Sequence, residues 1–510
     1  MLADITADFE RLTGGFKPLA ECRPFSPEAY NAISTTLMRH YYKAVGDIEA
    51  RHGVGYPSNI GMLLFPALHV AACQHYFHEY DVASGIADDS PPPAAGRSLA
   101  SVLRLGDARR QLRKLLSSLG GRRGTHDARV AFAGTTTFPW GPLQHRLASM
   151  NVHLNAAPVG RPAAIPLLAQ QRLHLQAWAS DAHEALAAEM RPLIINLRPF
   201  NVSHVNEAVV GLMRMPGAER PTVDLLVTGT LGSLPARVTA MNAISHAVPV
   251  LTIHHGAQYK LVDEPYYDLY EGMLPTAKMV YGSIDRQREL GTLVREHTLA
   301  GDDTVLFTRT DSLVRTLHRG ESIPIVGSLR GKRVLYLTTE FETGRYGPYR
   351  DVHPQTYRTW QQALIDWLTA KSGQQPMVRL HPKRPSAQFD PQGFQTSDGP
   401  LREALDAADV FVIDYPTTSL AHVAATSKPI LFFDLGLRRL YPAALDIVKE
   451  RCAYAATDVL EPSIGLAAME GQLDRTYVDN FSPTFTVADS DDDEVTAVAK
   501  AVVGAVERLR

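Results

Sequence analysis

Two stretches of the sequence place polar side chains directly after short apolar runs, where they could bind an anion. The first run ends in three potential cations, Arg379, His381 and Lys383. The second run, at residues 410–413, is followed by an acid and three hydroxyl side chains: Asp414, Thr417, Thr418 and Ser419. Cations and hydroxyl or backbone N–H donors at the carboxyl ends of parallel strands are well suited to hold a phosphate. We therefore predict that these two stretches bind a phosphate-bearing ligand from two sides.

The pattern around these residues alternates short apolar runs with helical segments, which is typical of parallel α/β sheets. A helix at residues 234–246 is predicted to join strands at residues 223–227 and 249–253. Such βαβ units cross over with right-handed geometry. Further strands are predicted at residues 129–133, 192–197, 331–339, 410–413 and 428–434. This repetition predicts two Rossmann-like domains.

Four units are predicted along the chain. They are a mainly helical N-terminal region at residues 1–125, a first Rossmann-like domain at 126–325, a second at 326–490, and a C-terminal helix at 491–510. The acid cluster at 489–494 is expected at the start of that helix, because the helix macrodipole favours anions there. In the N-terminal region, four side chains lie at helical spacing: His69, His75, His78 and Glu79. Without a His-Glu-x-x-His signature, packing is favoured there over a metal site.

The His381-Pro382 dipeptide after one strand and the hydroxyl residues at 417–419 resemble the donor site of bacterial GT-B transferases that use cytidine-activated donors. Those families include sialyltransferases, the Kdo transferases of capsule and O-antigen synthesis, and the CDP-glycerol phosphotransferases of teichoic acid synthesis. The resemblance spans about residues 128–460 and implies a GT-B-like fold, in which two Rossmann-like domains face a cleft. It further implies an acceptor-side first domain and a nucleotide-donor second domain. In that comparison His381 contacts the donor phosphate, and residues 417–419 hold the same phosphate from the other side.

A second motif follows the strand predicted at residues 249–253. His255 and Gly256, with Lys260 after three further residues, resemble a motif of the CDP-glycerol transferases whose histidine is suggested to act as a base. An imidazole with a pKa near ~6.5 can accept a hydroxyl proton at neutral pH when the hydroxyl is within hydrogen-bond reach. The alternative is a histidine that caps the strand or bonds a neighbouring loop. His254 is expected to point to the opposite face of the strand.

Acidic residues beyond this motif leave the identity of the base open. Sialyltransferase-like families resemble one another in using an acid before a glycine, and Glu271 with Gly272 matches that pattern only in part. The candidate bases are His255, Asp263, Glu264, Asp268 and Glu271. Four further residues are candidate substrate contacts: Gly256, Lys260, Glu342 and Arg345. The last two lie in a polar loop, for which an exposed position without such a contact is the equal alternative.

Composition and charge limit the partners and the compartment. With 51 basic and 54 acidic residues, the 510-residue chain has a net charge of −3, so it lacks the basic field of a nucleic-acid-binding protein. Three widely separated cysteines and an N-terminus without a signal-peptide pattern favour a cytoplasmic protein. No apolar run approaches the ~20 residues that span a bilayer. Basic residues and leucines are interleaved at 103–123, which indicates either a peripheral contact with the inner membrane or a solvated helix face.

Taken with the resemblance, the motifs predict a metal-independent glycosyltransferase without a cofactor beyond its nucleotide-activated donor. The donor is expected to be a CMP-sugar, such as a CMP-activated Kdo or sialic acid, and the acceptor a surface polysaccharide or a lipid-linked glycan. Polyol-phosphate transfer from CDP-glycerol or CDP-ribitol is the first alternative. A sugar-nucleotide 2-epimerase and a non-catalytic nucleotide-binding protein are the others. Walker and Gly-x-Ser-x-Gly motifs are absent from the sequence, which disfavours NTPases and α/β-hydrolases.

Overall fold

The computed structural model describes two α/β regions of the chain. The described residues are 129–133, 140–150, 184, 223–229, 231, 236, 239–240, 243–244, 246–254, 256–262, 274–292, 304–318, 322–339, 354–380, 393–397 and 399–508. None of the helices in this part of the chain has the length and apolar character that crossing a bilayer requires. The N-terminal helical region predicted at 1–125 and the strand predicted at 192–197 lie outside the described residues.

The first lobe is built on five parallel strands in sequential order, β1-β2-β3-β4-β5. The strands are β1 (Val130–Ala133), β2 (Leu225–Thr228), β3 (Val250–Ile253), β4 (Ala277–Tyr281) and β5 (Val305–Arg309). Its helices include α1 (Trp140–Ser149), α2 (Ile284–Glu289) and α3 (Ser312–Leu317), with a 3-10 helix at Ala257–Lys260. The crossover helix predicted at 234–246 is helical at its described positions between 236 and 244.

The second lobe has six parallel strands in the order β8-β7-β6-β9-β10-β11. They are β6 (Val334–Leu337), β7 (Met377–Arg379), β8 (Gln395–Thr396), β9 (Val410–Ile413), β10 (Ile430–Asp434) and β11 (Ala453–Ala456). Its helices include α4 (Pro354–Ser372), α5 (Leu401–Ala407), α6 (Thr418–Ala424), α7 (Pro442–Arg451) and α8 (Pro462–Glu470). The chain begins in the middle of this sheet, builds one half outward, and then returns to β9 to build the other half. This is the strand order of a doubly wound Rossmann sheet, with its switch point between β6 and β9.

The three strands β6, β9 and β10 of the second sheet are buried on both faces. β6, β9 and β10 have the sequences VLYL, VFVI and ILFFD, and nearly all of these side chains lie in the core. Such continuous apolar runs are typical of parallel strands that helices cover on both sides. On one side, α4 contributes Trp360, Leu364 and Leu368 to the same core cluster. Their spacing of four residues puts them on one face of the helix.

The last helix, α10 (Glu494–Arg508), packs on the first sheet although it follows the second sheet in the chain. Val498, Ala501 and Val502 are fully buried in one core cluster with residues of β1 to β4. Gly504 allows a close approach, because a Cβ there would lie 3.1 Å from the ring of Phe307. The helix predicted at 491–510 is therefore present, and it belongs to the first lobe.

The chain returns to the first lobe through α9 (Phe481–Phe485), which packs against the turn between β4 and α2. Gly282 in that turn has a φ of +79°, and a Cβ there would lie 2.2 Å from the backbone oxygen of Thr484. Gln287 Nε2 donates to the carbonyls of Tyr281 and Thr484 at 2.7 and 2.8 Å. These contacts fix the returning segment and thereby the start of α10.

The fold class predicted from the sequence, α/β and GT-B-like with two Rossmann-like domains, is confirmed by the two separate parallel sheets. The boundary predicted between residues 325 and 326 falls in the segment that connects α3 to β6.

Candidate functional site

The switch point of the second sheet lies between β6 and β9, whose last residues Leu337 and Ile413 are paired in register. On the other side of β6, Arg379 at the end of β7 pairs with the same Leu337. The carboxyl ends of β7, β6 and β9 therefore lie side by side, about 5 Å apart from strand to strand. In doubly wound sheets, ligands bind outside the carboxyl ends at the switch point. Arg379 ends β7 and residues 414–419 follow β9, so these described parts of the two predicted segments border this point.

Asp414, directly after β9, is a buried residue of the second lobe. Its Oδ2 accepts hydrogen bonds from the hydroxyl groups of Tyr336 and Tyr357, the latter at 2.8 Å, and from Trp360 Nε1 at 3.0 Å. Only 1% of the residue is exposed. Burial raises the pKa of Asp414 to about 6, and the three hydrogen bonds oppose that rise. The predicted contact of Asp414 with a donor stays a prediction; in the structure its carboxylate joins β9 to β6 and α4.

Thr417 is the N-cap of α6, and its neighbours form the first turn of that helix. Its Oγ1 accepts a hydrogen bond from the Ser419 N–H at 3.3 Å. An N-cap of this kind fixes the direction in which the helix begins. Thr417, Thr418 and Ser419 are all half-buried, so part of each side chain is accessible. Their role as phosphate donors stays a prediction.

Arg379 has partners within the second lobe. Its Nη1 donates to the carbonyl oxygens of Ser397, at 3.2 Å, and Gly399. These bonds fix the segment that follows β8, next to the carboxyl end of β7. The predicted phosphate contact of Arg379 stays a prediction, since a ligand would bind beside these bonds or compete with them.

The first lobe presents the histidine-glycine segment at the carboxyl end of β3. His254 is buried, its N–H donates to the carbonyl of Met279 at 3.1 Å, and its ring centroid lies 4.7 Å from that of Tyr259. Packing therefore accounts for this histidine, which is the one that the sequence did not favour as a base. Gly256 is buried, and Lys260, at the end of the 3-10 helix, is 9% exposed. The predicted substrate contacts of Gly256 and Lys260 stay predictions.

The two lobes meet through segments that the sequence singled out. The 3-10 helix Ala257–Lys260 contacts α6 of the second lobe. The carbonyl of Leu261 accepts a hydrogen bond from the Tyr441 N–H at 3.0 Å, and the residue after it forms an antiparallel bridge with Leu440. Residues 254–262 are called the histidine loop here, and residues 257–262 of this loop lie against the carboxyl edge of the second lobe. The structure brings this loop and the helix that starts at the predicted phosphate donors together.

A second contact between the lobes joins α3 to α6. Asp311 Oδ1 lies 3.6 Å from His422 Nε2, and it also accepts hydrogen bonds from the N–H groups of Leu313 and Val314 at 2.8 and 3.2 Å. Burial works to raise the pKa of Asp311, but the hydrogen bond and charge of His422 and the two backbone N–H groups hold it below its usual value. Sequence reasoning missed this pair, because a helix-capping acid and a histidine within a helix form no motif.

Arg309, the last residue of β5, connects the histidine loop to α10. Its Nη2 donates to the His254 carbonyl and to the Tyr281 hydroxyl, both at 2.5 Å. Its Nη1 donates to Glu494 Oε1 at 2.7 Å. A single arginine at a strand end gave no signal in the sequence, so Arg309 was missed. Glu494 offered a weak signal, as the last acid of the cluster at 489–494.

The other predicted site residues lie outside the described residues, and their roles stay predictions. They are His255, Asp263, Glu264, Asp268, Glu271, Glu342, Arg345, His381 and Lys383. Within the described part of the chain, no group of three or more His, Cys, Asp or Glu side chains is arranged to hold a metal ion.

Solved structures with a similar fold include several glycosyltransferases. The glycotransferase of kitacinnamycin is 13% identical, with 76% of this chain and 96% of that chain covered and a TM-score of 0.32. SnogD from Streptomyces nogalater is 12% identical, with 75% and 95% covered and a TM-score of 0.29. SsfS6 from Streptomyces sp. SF2575 is 13% identical, with 75% and 94% covered and a TM-score of 0.29. No protein-family model matches the chain, and no curated protein matches it.

Proposed function

We propose that this chain is a glycosyltransferase of the GT-B type, which moves a sugar from a nucleotide-activated donor to an acceptor hydroxyl. The observation that carries the proposal is the contact between α6, which begins beside the switch point of the second sheet, and the histidine loop of the first lobe. Nucleotides bind at such switch points. A facing loop with a histidine can activate an acceptor. Sugar transfer needs both functions in one crevice.

On the donor side, we assign the nucleotide phosphate to the residues that follow β7 and β9. The hydroxyl groups of Thr417, Thr418 and Ser419 donate to its oxygens, and His381 and Lys383 add positive charge. The phosphate gains negative charge as the bond to the sugar breaks, so donors that are already in place stabilise the transition state. Thr417 to Ser419 are held by the helix cap and by the buried carboxylate before them.

On the acceptor side, His255 is the proposed base, with Asp263, Glu264 and Glu271 as the alternatives. The base takes the proton of the acceptor hydroxyl while the hydroxyl oxygen forms a bond to the anomeric carbon. The bond between that carbon and the donor phosphate breaks, and its electron pair leaves with the nucleotide. In this scheme protein cations balance the leaving charge without a metal ion or a further cofactor.

We propose a CMP-sugar, such as a CMP-activated Kdo or sialic acid, as the donor and a surface polysaccharide or glycolipid as the acceptor. The resemblance of the segments at 381–383 and 417–419 to those of cytidine-using transferases supports this choice. A lipid-linked acceptor would also explain the basic and leucine-rich stretch at 103–123, since such a pattern can contact anionic headgroups at the inner membrane. Glu342 and Arg345 are further proposed contacts of the substrates.

Ligand-induced stabilisation tests the donor site. The melting temperature is measured with CMP, CDP, UDP and GDP at equal concentrations, because a ligand that binds only the folded state raises it. We expect the largest shift with CMP, and a smaller one when Thr418→Ala and Ser419→Ala are combined. Ser149→Ala is the matched control, since that exposed hydroxyl bonds the carbonyl of Arg146 at the end of α1. A chain whose melting temperature responds to none of the nucleotides would contradict the proposal.

Product analysis separates sugar transfer from its alternatives. The acceptor is incubated with a CMP-sugar or with CDP-glycerol, and its mass is measured. A gain of one sugar supports glycosyl transfer, and a gain of glycerol phosphate indicates polyol phosphotransfer instead. Conversion of the donor without an acceptor indicates an epimerase, and nucleotide binding without any turnover indicates a non-catalytic protein. We expect His381→Ala to lower kcat about 10²-fold, the usual cost of losing one preorganised donor.

A further inference from the structure

Arg309 and Glu494 form a buried ion pair between the end of β5 and the start of α10. The two side chains are only 4% and 12% exposed, and Nη1 lies 2.7 Å from Oε1. Removing two charges from water is costly, and their mutual attraction offsets the cost only when the remaining N–H groups are bonded as well. The other bonds of the guanidinium therefore indicate what this pair holds in place.

The other hydrogen bonds of Arg309 include one to the histidine loop. Arg309 Nη2 donates to the carbonyl of His254 and to the hydroxyl of Tyr281, and the Tyr281 ring centroid lies 4.5 Å from the guanidinium carbon. The planar fork of arginine can meet several acceptors at once, which a lysine ammonium cannot do in the same geometry. Glu494 is itself fixed, because its Oε2 accepts a hydrogen bond from the Ser312 N–H at 3.3 Å.

The carbonyl of His254 belongs to the peptide unit that also contains the backbone nitrogen of His255. A peptide unit is planar, so a bond that fixes its carbonyl fixes the direction in which the chain enters the next residue. His254 is held twice more, by the bond from its N–H to the carbonyl of Met279 and by the contact of its ring with Tyr259. Arg309 thus acts on the peptide unit directly before the proposed base.

We propose that Arg309 and Glu494 are positioning residues for the proposed base, because they hold the carbonyl of His254 in the peptide unit directly before His255. This inference rests on the proposed function, because it takes His255 as the base. It gives α10 a part in positioning the base, since Glu494 is the first residue of that helix. A displacement of about 1 Å in a reacting group can cost about 10²-fold in rate.

A single and a double variant distinguish a positioning role of Arg309 and Glu494 from a purely stabilising one. Arg309→Met alone leaves Glu494 buried beside an apolar side chain, so both stability and rate should fall. Arg309→Met combined with Glu494→Leu replaces the pair by apolar side chains, which is often neutral for stability. The double variant still lacks the donor to the His254 carbonyl. We expect it to recover most of the melting temperature that the single variant loses, while kcat remains about 10²-fold lower, with the donor KM within about threefold of the wild type.

Arg333→Met is the matched control for the loss of an arginine that pairs with an acid. Arg333 pairs with Asp409 at 2.7 Å, at the amino ends of β6 and β9, and both side chains are exposed. This pair lies at the edge of the second sheet away from the crevice. The control variant should keep the melting temperature, kcat and KM of the wild type.

Hydrogen–deuterium exchange adds a readout that does not depend on activity. In the double variant, amides of the histidine loop should exchange faster than in the wild type, while those of α4 should not change. A double variant with wild-type kcat, or with unchanged exchange in the histidine loop, would overturn the positioning role. Failure of the proposed function is recognised separately, because the wild type itself would then transfer no sugar, and the catalytic purpose of the pair would fall with it.

Discussion

The carboxyl edges of the two sheets are each held by one buried charged residue, but the charges are compensated differently. In the first lobe, the guanidinium of Arg309 pairs with the carboxylate of Glu494. In the second lobe, the carboxylate of Asp414 receives hydrogen bonds from three neutral groups. An ion pair depends on both of its members, whereas a carboxylate among neutral donors can change its own protonation state. The contribution of each edge to the free energy of unfolding should therefore be lost under different conditions.

The pKa shifts of Asp414 and Glu494 differ in the same way as their hydrogen-bond partners. Burial raises the pKa of Asp414 to about 6, and hydrogen bonds from Tyr336, Tyr357 and Trp360 oppose the rise. Burial also raises the pKa of Glu494, but there the positive charge of Arg309 opposes it. A full opposite charge favours the ionised form more strongly than neutral donors do. The carboxyl edge of the second sheet, which Asp414 holds, is thus the one whose stability is expected to change with pH near neutrality.

The largest loss of stability is expected when only one member of the Arg309–Glu494 pair is replaced. Arg309→Met should lower the free energy of unfolding by about 3 to 5 kcal/mol, because Glu494 stays buried without its cation. Urea unfolding at pH 7 measures the loss. Replacing both residues, as in Arg309→Met with Glu494→Leu, should recover most of it. If the single variant were as stable as the double variant, the description of this edge as a buried ion pair would be wrong.

Asp414, at the carboxyl edge of the second sheet, should make a smaller contribution to stability, and this contribution depends on pH. The folded-state pKa of Asp414, about 6, lies above its ordinary value of 3.8, so folding favours the protonated form. This contribution is fully present below the unfolded pKa and is lost as the pH rises through 6, with a total of about 3 kcal/mol. Unfolding free energies of the wild type and of Asp414→Asn are compared between pH 4 and pH 8. Parallel pH profiles of the two proteins would contradict the raised pKa.

The contact between the lobes should respond to pH with the opposite sign. The pKa of Asp311 is held below its ordinary value, so its contribution is present above the unfolded pKa and is lost as the pH falls through the folded one. Its side chain and that of His422 are 25% and 15% exposed, so water screens the pair in part. We expect Asp311→Asn to cost about 1 kcal/mol at pH 7 and nothing in strong acid. Equal losses at both pH values would assign the effect to packing alone.

The smallest effect is expected at the amino edge of the second sheet. Arg333 and Asp409 are paired at 2.7 Å, but their side chains are 57% and 39% exposed. Exposed ion pairs contribute little to stability, since solvent and salt screen them. Arg333→Met should therefore leave the unfolding transition unchanged within the error of measurement. A clear loss of stability would mean that burial is not what separates this pair from the one at Arg309.

Much of the fold could be predicted from the sequence because its signals are local. The strands predicted at 223–227, 249–253 and 410–413 correspond to β2, β3 and β9 with boundaries that differ by two residues at most. Turn residues and apolar runs decide these elements over a few neighbouring positions. The neighbouring positions of Arg379 and of residues 414–419 also followed from local information, since each lies at the carboxyl end of a parallel strand.

The side-chain partners could not be predicted, because they come from distant parts of the chain. Asp414 meets Tyr336, which lies 78 residues earlier. Arg309 meets Glu494, 185 residues later, after the chain has built the entire second sheet. Neither pairing leaves a pattern of spacing in the sequence. Only the folding of each lobe brings those groups together.

The claim that a nucleotide binds in the crevice between the lobes is tested most directly by hydrogen–deuterium exchange with and without CMP. Our account predicts that CMP slows exchange in two separate peptides, one covering residues 414–421 and one covering the histidine loop at 254–262. These peptides belong to different lobes, and α6 contacts the 3-10 helix of the histidine loop. Protection confined to other regions, or absent at saturating nucleotide, would contradict the account.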